Sequence, residues 1–448
     1  MSFLRTRSDA AVEADAAAEA DAACGCPTDV AARIPQQRGI NRRTMLKGIG
    51  AAGAAAAVSG SVLSSRLAYA ADPTYTGDVL VVLSLRGGVD GLSVIPPVGD
   101  PAYAGLRPNI GIPSSLALPL GGVFGMHPAL APLKPFYDTG KLAVVHAVGQ
   151  PTGSRSHFKD SEELERAAPG TSLRTGWLDR VLGVRGAGTA FQAVQLGSNM
   201  LPGSLLGPSP DLAMSSIDSF TLNVWDGYRP QVLAALSAMH AGVQHPVAQQ
   251  AATTLAALST AASMKTAGYT PANGAVYPTS ALGKALRDLA RLIKGNVGLQ
   301  VATLDYGNWD MHNGLGRPGD ANGWMHKQLA DVAACLAAFA TDLGAGLANV
   351  SLVTLTEFGR RAKENGDGGV DHGYGQAVLA LGGGLRGGQV YGRWPGLAPA
   401  NLDNGDLAVA TDYRQILTEI LQKRCRVGDV SGIFPGLAVA PLGLANAR

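Results

Sequence analysis

Cysteine is scarce in this chain, with four in 448 residues. Cys24 and Cys26 precede a candidate cleavage site, so Cys335 and Cys425 are the pair a mature protein would keep. Two cysteines cannot build a disulfide framework, and no thiolate metal site is available. Cys335 lies in the apolar run AACLA, where a buried, inert thiol is the default. Charge is also sparse, at 16% against 46% hydrophobic residues, which favours a substantial core and excludes general disorder. Residues 1–70 hold eight Lys/Arg and six Asp/Glu, leaving 28 of each from totals of 36 and 34. A neutral remainder carries no nucleic-acid footprint. Beyond residue 70 there is no run of ~18 uninterrupted apolar residues, so a mature protein is not expected to span a membrane.

What the N-terminus does contain is an address. Residues 1–38 are Ala-rich with two prolines, Pro27 and Pro35. Then come Asn41-Arg42-Arg43-Thr44-Met45-Leu46-Lys47, a weak Ala/Gly-rich apolar run and Ala68-Tyr69-Ala70. Arginine pair, apolar run and A-x-A site, in that order, predict a twin-arginine signal. Its partner during export is the twin-arginine translocase, and the destination is the periplasm or the outside. The chain thus divides into residues 1–70, an extension with its signal, and residues 71–448, one α/β domain with a helical insertion at about 200–295.

Strand-like runs lie among helical ones through that domain, which reads as an open α/β sheet with helices packed on it. Chemistry in such a sheet sits beyond the carboxyl ends of the strands. A first strand at 79–85 enters Arg86-Gly87-Gly88-Val89-Asp90-Gly91, where Asp90 is either a metal ligand or a turn cap. A Pro-rich excursion spans 96–135. A strand at 142–148 leads into Ser154-Arg155-Ser156-His157-Phe158 and a helix. Ser156 is placed to cap that helix or, by the same geometry, to act as a nucleophile. His157 is a candidate catalytic or ligating group, or a packed donor.

Further strands are expected at 189–196 and 299–304. Between them lie helical runs around 231–241, 246–265 and 281–294, with little chemistry. The second strand enters Trp309-Asp310-Met311-His312, whose Asp310 and His312 are two apart and project to one side. An oxygen and an imidazole nitrogen suit zinc, manganese or iron. A helix at 323–343 follows. The β-formers at 350–356 end on Glu357, and a Gly-rich loop then delivers Asp371-His372. Residues 376–381 read as an edge strand, and Asp412 as the cap of a last helix.

The ordered motifs LRGGVDGL, SRSHF, GNWDMH, TEFGR and VDHG behind a twin-arginine signal resemble an exported bacterial family of unknown function. That family is grouped with the alkaline-phosphatase/sulfatase superfamily. RTGWLDR and LGGGLRGGQVYGRWPGL fit as well, so the resemblance runs from about Val79 to the C-terminus. It implies a doubly wound, mostly parallel, alkaline-phosphatase-like sheet flanked by helices, with divalent metal (zinc, manganese, calcium or magnesium; one or two ions). Asp90, Asp310, His312, Glu357, Asp371 and His372 would be the ligands. Ser156 would be the nucleophile, and the substrate a phosphate or sulfate ester of a small molecule or glycan. The sequence departs from the pattern at Phe358, where many members of the superfamily carry a ligating histidine. Two readings stand at this point: a metal-dependent hydrolase, and a binding protein that kept the fold without the chemistry.

Overall fold

The computed structural model describes residues 75–448 apart from 187. The segment read as a twin-arginine signal, with its expected cleavage site, lies outside the described residues. Thirteen short strands occur in chain order among those residues. Nine of them form one sheet: β1 Val79–Leu85, β4 Leu142–Gly149, β5 Ala193–Leu196, β6 Leu212–Met214, β7 Val301–Tyr306, β8 Val350–Leu355, β9 Gln376–Leu381, β10 Val390–Tyr391 and β13 Thr411–Asp412. The others pair as two small hairpins, β2 Leu118–Gly121 with β3 Phe124–Met126, and β11 Leu402–Asp403 with β12 Asp406–Leu407.

The sheet order is β10-β4-β9-β8-β1-β7-β5-β6, with β13 also on β4. β1 runs parallel to β7 and β8, and β5 parallel to β6 and β7. β9 is antiparallel to both its neighbours, β4 and β8, so it alone runs against the rest. The carboxyl ends of β1, β4, β7 and β8 therefore share one edge, and the amino end of β9 joins them there. β9 is therefore an internal strand, not the edge strand read from the sequence. All six of its residues are buried, in keeping with its apolar run QAVLAL.

Side chains alternate across the strands. In β1, Val81, Leu83 and Leu85 enter one core, while Leu80 and Val82 enter the other. The helices Ala281–Lys294 and Trp324–Leu343 cover the first face, and Trp177–Arg185 and Tyr413–Lys423 the second. Two buried layers explain why these strands read as near-continuous apolar runs. The helix Trp324–Leu343 is apolar and long enough by composition to cross a membrane, yet Leu329, Val332, Leu336 and Phe339 are all buried in the first core. Inside the insertion, β6 joins the sheet edge, and the helices Arg229–His240 and Pro246–Ala267 form a hairpin outside it. Asp412 caps the last helix, accepting from Arg414 N at 2.9 Å.

Candidate metal centre

Four loops leave the common edge and meet there. The loop after β1 carries Gly87, whose φ of 118° favours glycine and whose missing Cβ lets Asp310 N approach; a Cβ would sit 2.7 Å from that nitrogen. The loop after β4 carries Arg155, at φ 59°, and leads into the helix His157–Arg166. The loops after β7 and β8 bring Asp310, His312, Asp371 and His372. A non-glycine residue in the left-handed region persists only where its surroundings hold it, and such residues cluster at functional sites.

Three imidazoles converge. His157 Nδ1 lies 2.7 Å from Glu357 Oε1, His312 Nδ1 3.0 Å from Asp371 Oδ1, and His372 Nδ1 2.9 Å from the Arg155 carbonyl oxygen. Each of these oxygens only accepts, so each Nδ1 carries the proton and each Nε2 presents a lone pair. His372 Nε2 is 3.1 Å from His157 Nε2 and 3.0 Å from His312 Nε2. Asp310 stands among them, with Oδ1 3.2 Å from His372 Nε2 and 3.1 Å from His312 Nε2, and Oδ2 3.4 Å from His157 Nε2.

Bare lone pairs this close repel unless a cation or a proton lies between them. An ion bound tetrahedrally with bonds of about 2.0–2.1 Å holds adjacent ligand atoms roughly 3.3 Å apart. The donor set His157, Asp310 and His372, mutually within 4.8 Å, fits such an ion. His312 flanks it, with Arg360 Nη1 3.5 Å from its Nε2. Imidazole nitrogens with one carboxylate suit zinc or a similar transition ion better than magnesium or calcium, which prefer oxygen.

Glu357 and Asp371, read from the sequence as ligands, take the place behind the imidazoles instead. Glu357 Oε1 also accepts from Gly87 N at 2.9 Å, and Oε2 accepts from Thr356 Oγ1 at 3.0 Å. Its carboxylate thus orients His157, and Asp371 orients His312 in the same way. Hydrogen bonds from His312 and Asn365 hold the Asp371 carboxyl below its ordinary range. Asp90 is not offered as a ligand. It is buried and forked by Arg107, with Nη2 2.8 Å from Oδ1 and Nη1 on Oδ2, and it accepts from Ser93 Oγ. Burial opposes its ionisation, but Arg107 outweighs that and keeps its carboxyl low. Ser156 stands at the N-cap but makes no side-chain cap bond, so the capping role is unfilled. Phe358 is buried, with its ring centroid 4.7 Å from that of His157 and 4.6 Å from that of His372, an apolar wall where a ligand was looked for.

Arg360 was missed at the sequence level. Its side chain is fully buried, and it donates to the carbonyl oxygens of Gly88 (2.6 Å), Val370 (3.1 Å), Trp309 (3.3 Å) and Gly87, and to Asp310 Oδ1 (2.7 Å). One guanidinium therefore ties the loops after β1, β7 and β8 together. Burial would raise Asp310, yet the charge-assisted hydrogen bond from Arg360 leads the opposing effects that bring its carboxyl down to about 2. The only available signal was the adjacency of an arginine to the strand-end acid in Glu357-Phe358-Gly359-Arg360.

The DUF1501 family, described as "Protein of unknown function", matches residues 151–429. No curated protein matches the chain. Among solved structures it is similar to the PsFucS1 sulfatase from Pseudoalteromonas sp., at 12% identity and TM-score 0.34, over 91% of this chain and 78% of that one. It is also similar to the C-terminal periplasmic domain of EcEptC from Escherichia coli, in complex with Zn, at 9% identity and TM-score 0.29, over 68% and 74%. A third is the lipoteichoic acid synthase LtaP from Listeria monocytogenes, at 11% identity and TM-score 0.29, over 81% of each.

Proposed function

Because the chain belongs to the DUF1501 family, whose function is unknown, its activity has to be argued from the site, and we propose a metal-dependent hydrolase of phosphate or sulfate esters that is exported by the twin-arginine route. The observation that carries this reading is the convergence of imidazole Nε2 atoms at 3.0–3.1 Å beside the Asp310 carboxylate. We take one ion rather than two, because Asp90 is occupied by Arg107 and Glu357 by His157, Gly87 and Thr356. A divalent ion in this position supplies Lewis acidity and charge neutralisation for an anionic ester.

The residues around it have separate tasks. Glu357, Asp371 and the Arg155 carbonyl keep protons on the three Nδ1 atoms, so the Nε2 atoms stay free to ligate. Arg360 holds Asp310 ionised and fixes the loop positions. Ser156, at the start of the helix His157–Arg166 and without a cap bond, is the hydroxyl best placed in the sequence to attack an ester. The reading extends to a small-molecule or glycan ester as substrate and to a periplasmic or extracellular setting.

The test is hydrolysis of a panel of aryl phosphate and aryl sulfate esters by metal-loaded protein. Turnover that chelation abolishes and Ser156→Ala reduces at least a hundredfold supports the hydrolase. Turnover unchanged in Ser156→Ala removes that serine as nucleophile. Metal bound without turnover on any ester points to the binding protein.

A further inference from the structure

Away from the metal centre, the helices Arg229–His240 and Pro246–Ala267, with the loop at 220–222, line a half-open groove of about 730 Å³. Its walls are mainly apolar, including Phe220, Leu233, Leu255 and Leu258. Ligand pockets for one small molecule run from about 300 to 1,000 Å³ and are lined in this way. The groove falls within that range.

Two further observations give the ligand its class. The outer helix, Arg229–His240, buries none of its residues although its sequence is RPQVLAALSAMH. A helix with that many apolar side chains ordinarily buries a face. The charge around the groove is of one sign as well. Residues 227–280 contain no Asp or Glu, and the groove is lined by Arg229, His240 and Lys265. Arg229 is answered by the exposed Asp226, outside the lining. No described residue pairs with the Lys265 ammonium.

We infer that this groove binds one aliphatic chain of a free anionic amphiphile of the fatty-acid class, with its carboxylate at Lys265. A bilayer surface is the less suitable occupant. Arg229 and Lys265 are the only cations in residues 227–280, and attraction to an anionic membrane gains only about 1 kcal/mol per basic residue. This inference is independent of the metal centre and stands or falls without it.

The experiment is calorimetric titration of the purified protein with octanoate, decanoate and dodecanoate below their micellar concentrations. One saturable site is expected, with Kd tightening roughly tenfold per two added carbons. Ala234→Trp and Ala256→Phe, which put bulk into the groove from its two walls, are expected to weaken dodecanoate at least tenfold. Lys265→Glu is expected to weaken it roughly fivefold for any chain length. Circular dichroism and the urea unfolding midpoint serve as the check that each variant is folded. The inference is overturned by absence of saturable binding, by equal affinity in the two groove-filling variants, by independence from chain length, or by binding seen only with anionic phosphatidylglycerol vesicles.

Discussion

The carboxyl edge of the sheet and the helical hairpin at 229–267 are stabilised in opposite ways. At the edge, the central polar groups have several partners each: Glu357 takes three donors and Arg360 reaches five acceptors. In the hairpin, the outer helix buries no residue, and Trp225, Tyr228, Met239 and Val247 stand exposed around it. Polar networks fix positions closely, because a misplaced partner leaves a buried group unpaired. Apolar contact is non-directional and tolerates an opening. The edge is therefore suited to holding an ion, and the hairpin to admitting a chain of variable length.

The largest break in that comparison should come from Arg360→Met. It leaves four loop carbonyls and Asp310 without their shared donor, and removing one member of a buried charged network costs about 3–5 kcal/mol. Urea unfolding measures it, and a loss under about 1 kcal/mol would mean the edge is no tighter than the hairpin.

Acid should discriminate next. His146, in β4, and His127 are both buried, and burial brings each imidazole down to about 4, with His326 adding to the effect at His127. Their folded pKa values lie below the unfolded 6.5, so the unfolded chain binds more protons between those limits. Stability is full above about pH 6.5, falls as pH drops toward about 4, and loses roughly 3 kcal/mol per histidine at most. His146→Gln should flatten the slope of unfolding free energy against pH by about one proton, read from urea midpoints across that range. An unchanged slope would assign the acid sensitivity elsewhere.

Glu357→Gln comes third. It keeps shape and a hydrogen-bonding group behind His157 but weakens the orienting charge, and metal affinity should fall about 10–100-fold with little change in unfolding. A competitive chelator titration gives the number. The smallest effect belongs to the hairpin: Trp225→Ala should move stability by no more than about 0.5 kcal/mol and metal affinity not at all.

Much of the edge was legible before any coordinates. Strands of buried β-formers, each ending on Gly, Asp, Glu or His, placed the loops after β1, β4, β7 and β8 on one side, and Asp310, His312 and His372 do meet there. What could not be read was which carboxylates were already engaged. Asp90 is claimed by Arg107, seventeen residues on in the chain and across a loop whose path the sequence does not state. Glu357 and Asp371 were recognised as site residues but sit behind the imidazoles, a distinction of a few ångströms that spacing cannot make. Arg360 went unnoticed because a buried arginine is the exception, and its carbonyl partners come from three loops. β9 was misplaced because its neighbours, not its residues, decide whether a strand is internal. The helices of the insertion were read as helical runs in an Ala-rich stretch, while the groove between them depends on how two apolar faces fail to close.

The central claim is that His157, Asp310 and His372 hold a divalent ion. The direct measurement is elemental analysis of the protein after loading with zinc or manganese and dialysis, alongside His372→Ala. The account predicts about one ion per chain in the natural sequence and under about a tenth of that in the variant, as expected when one of three protein ligands is lost. A natural protein that retains no metal, or a variant that retains as much, contradicts it.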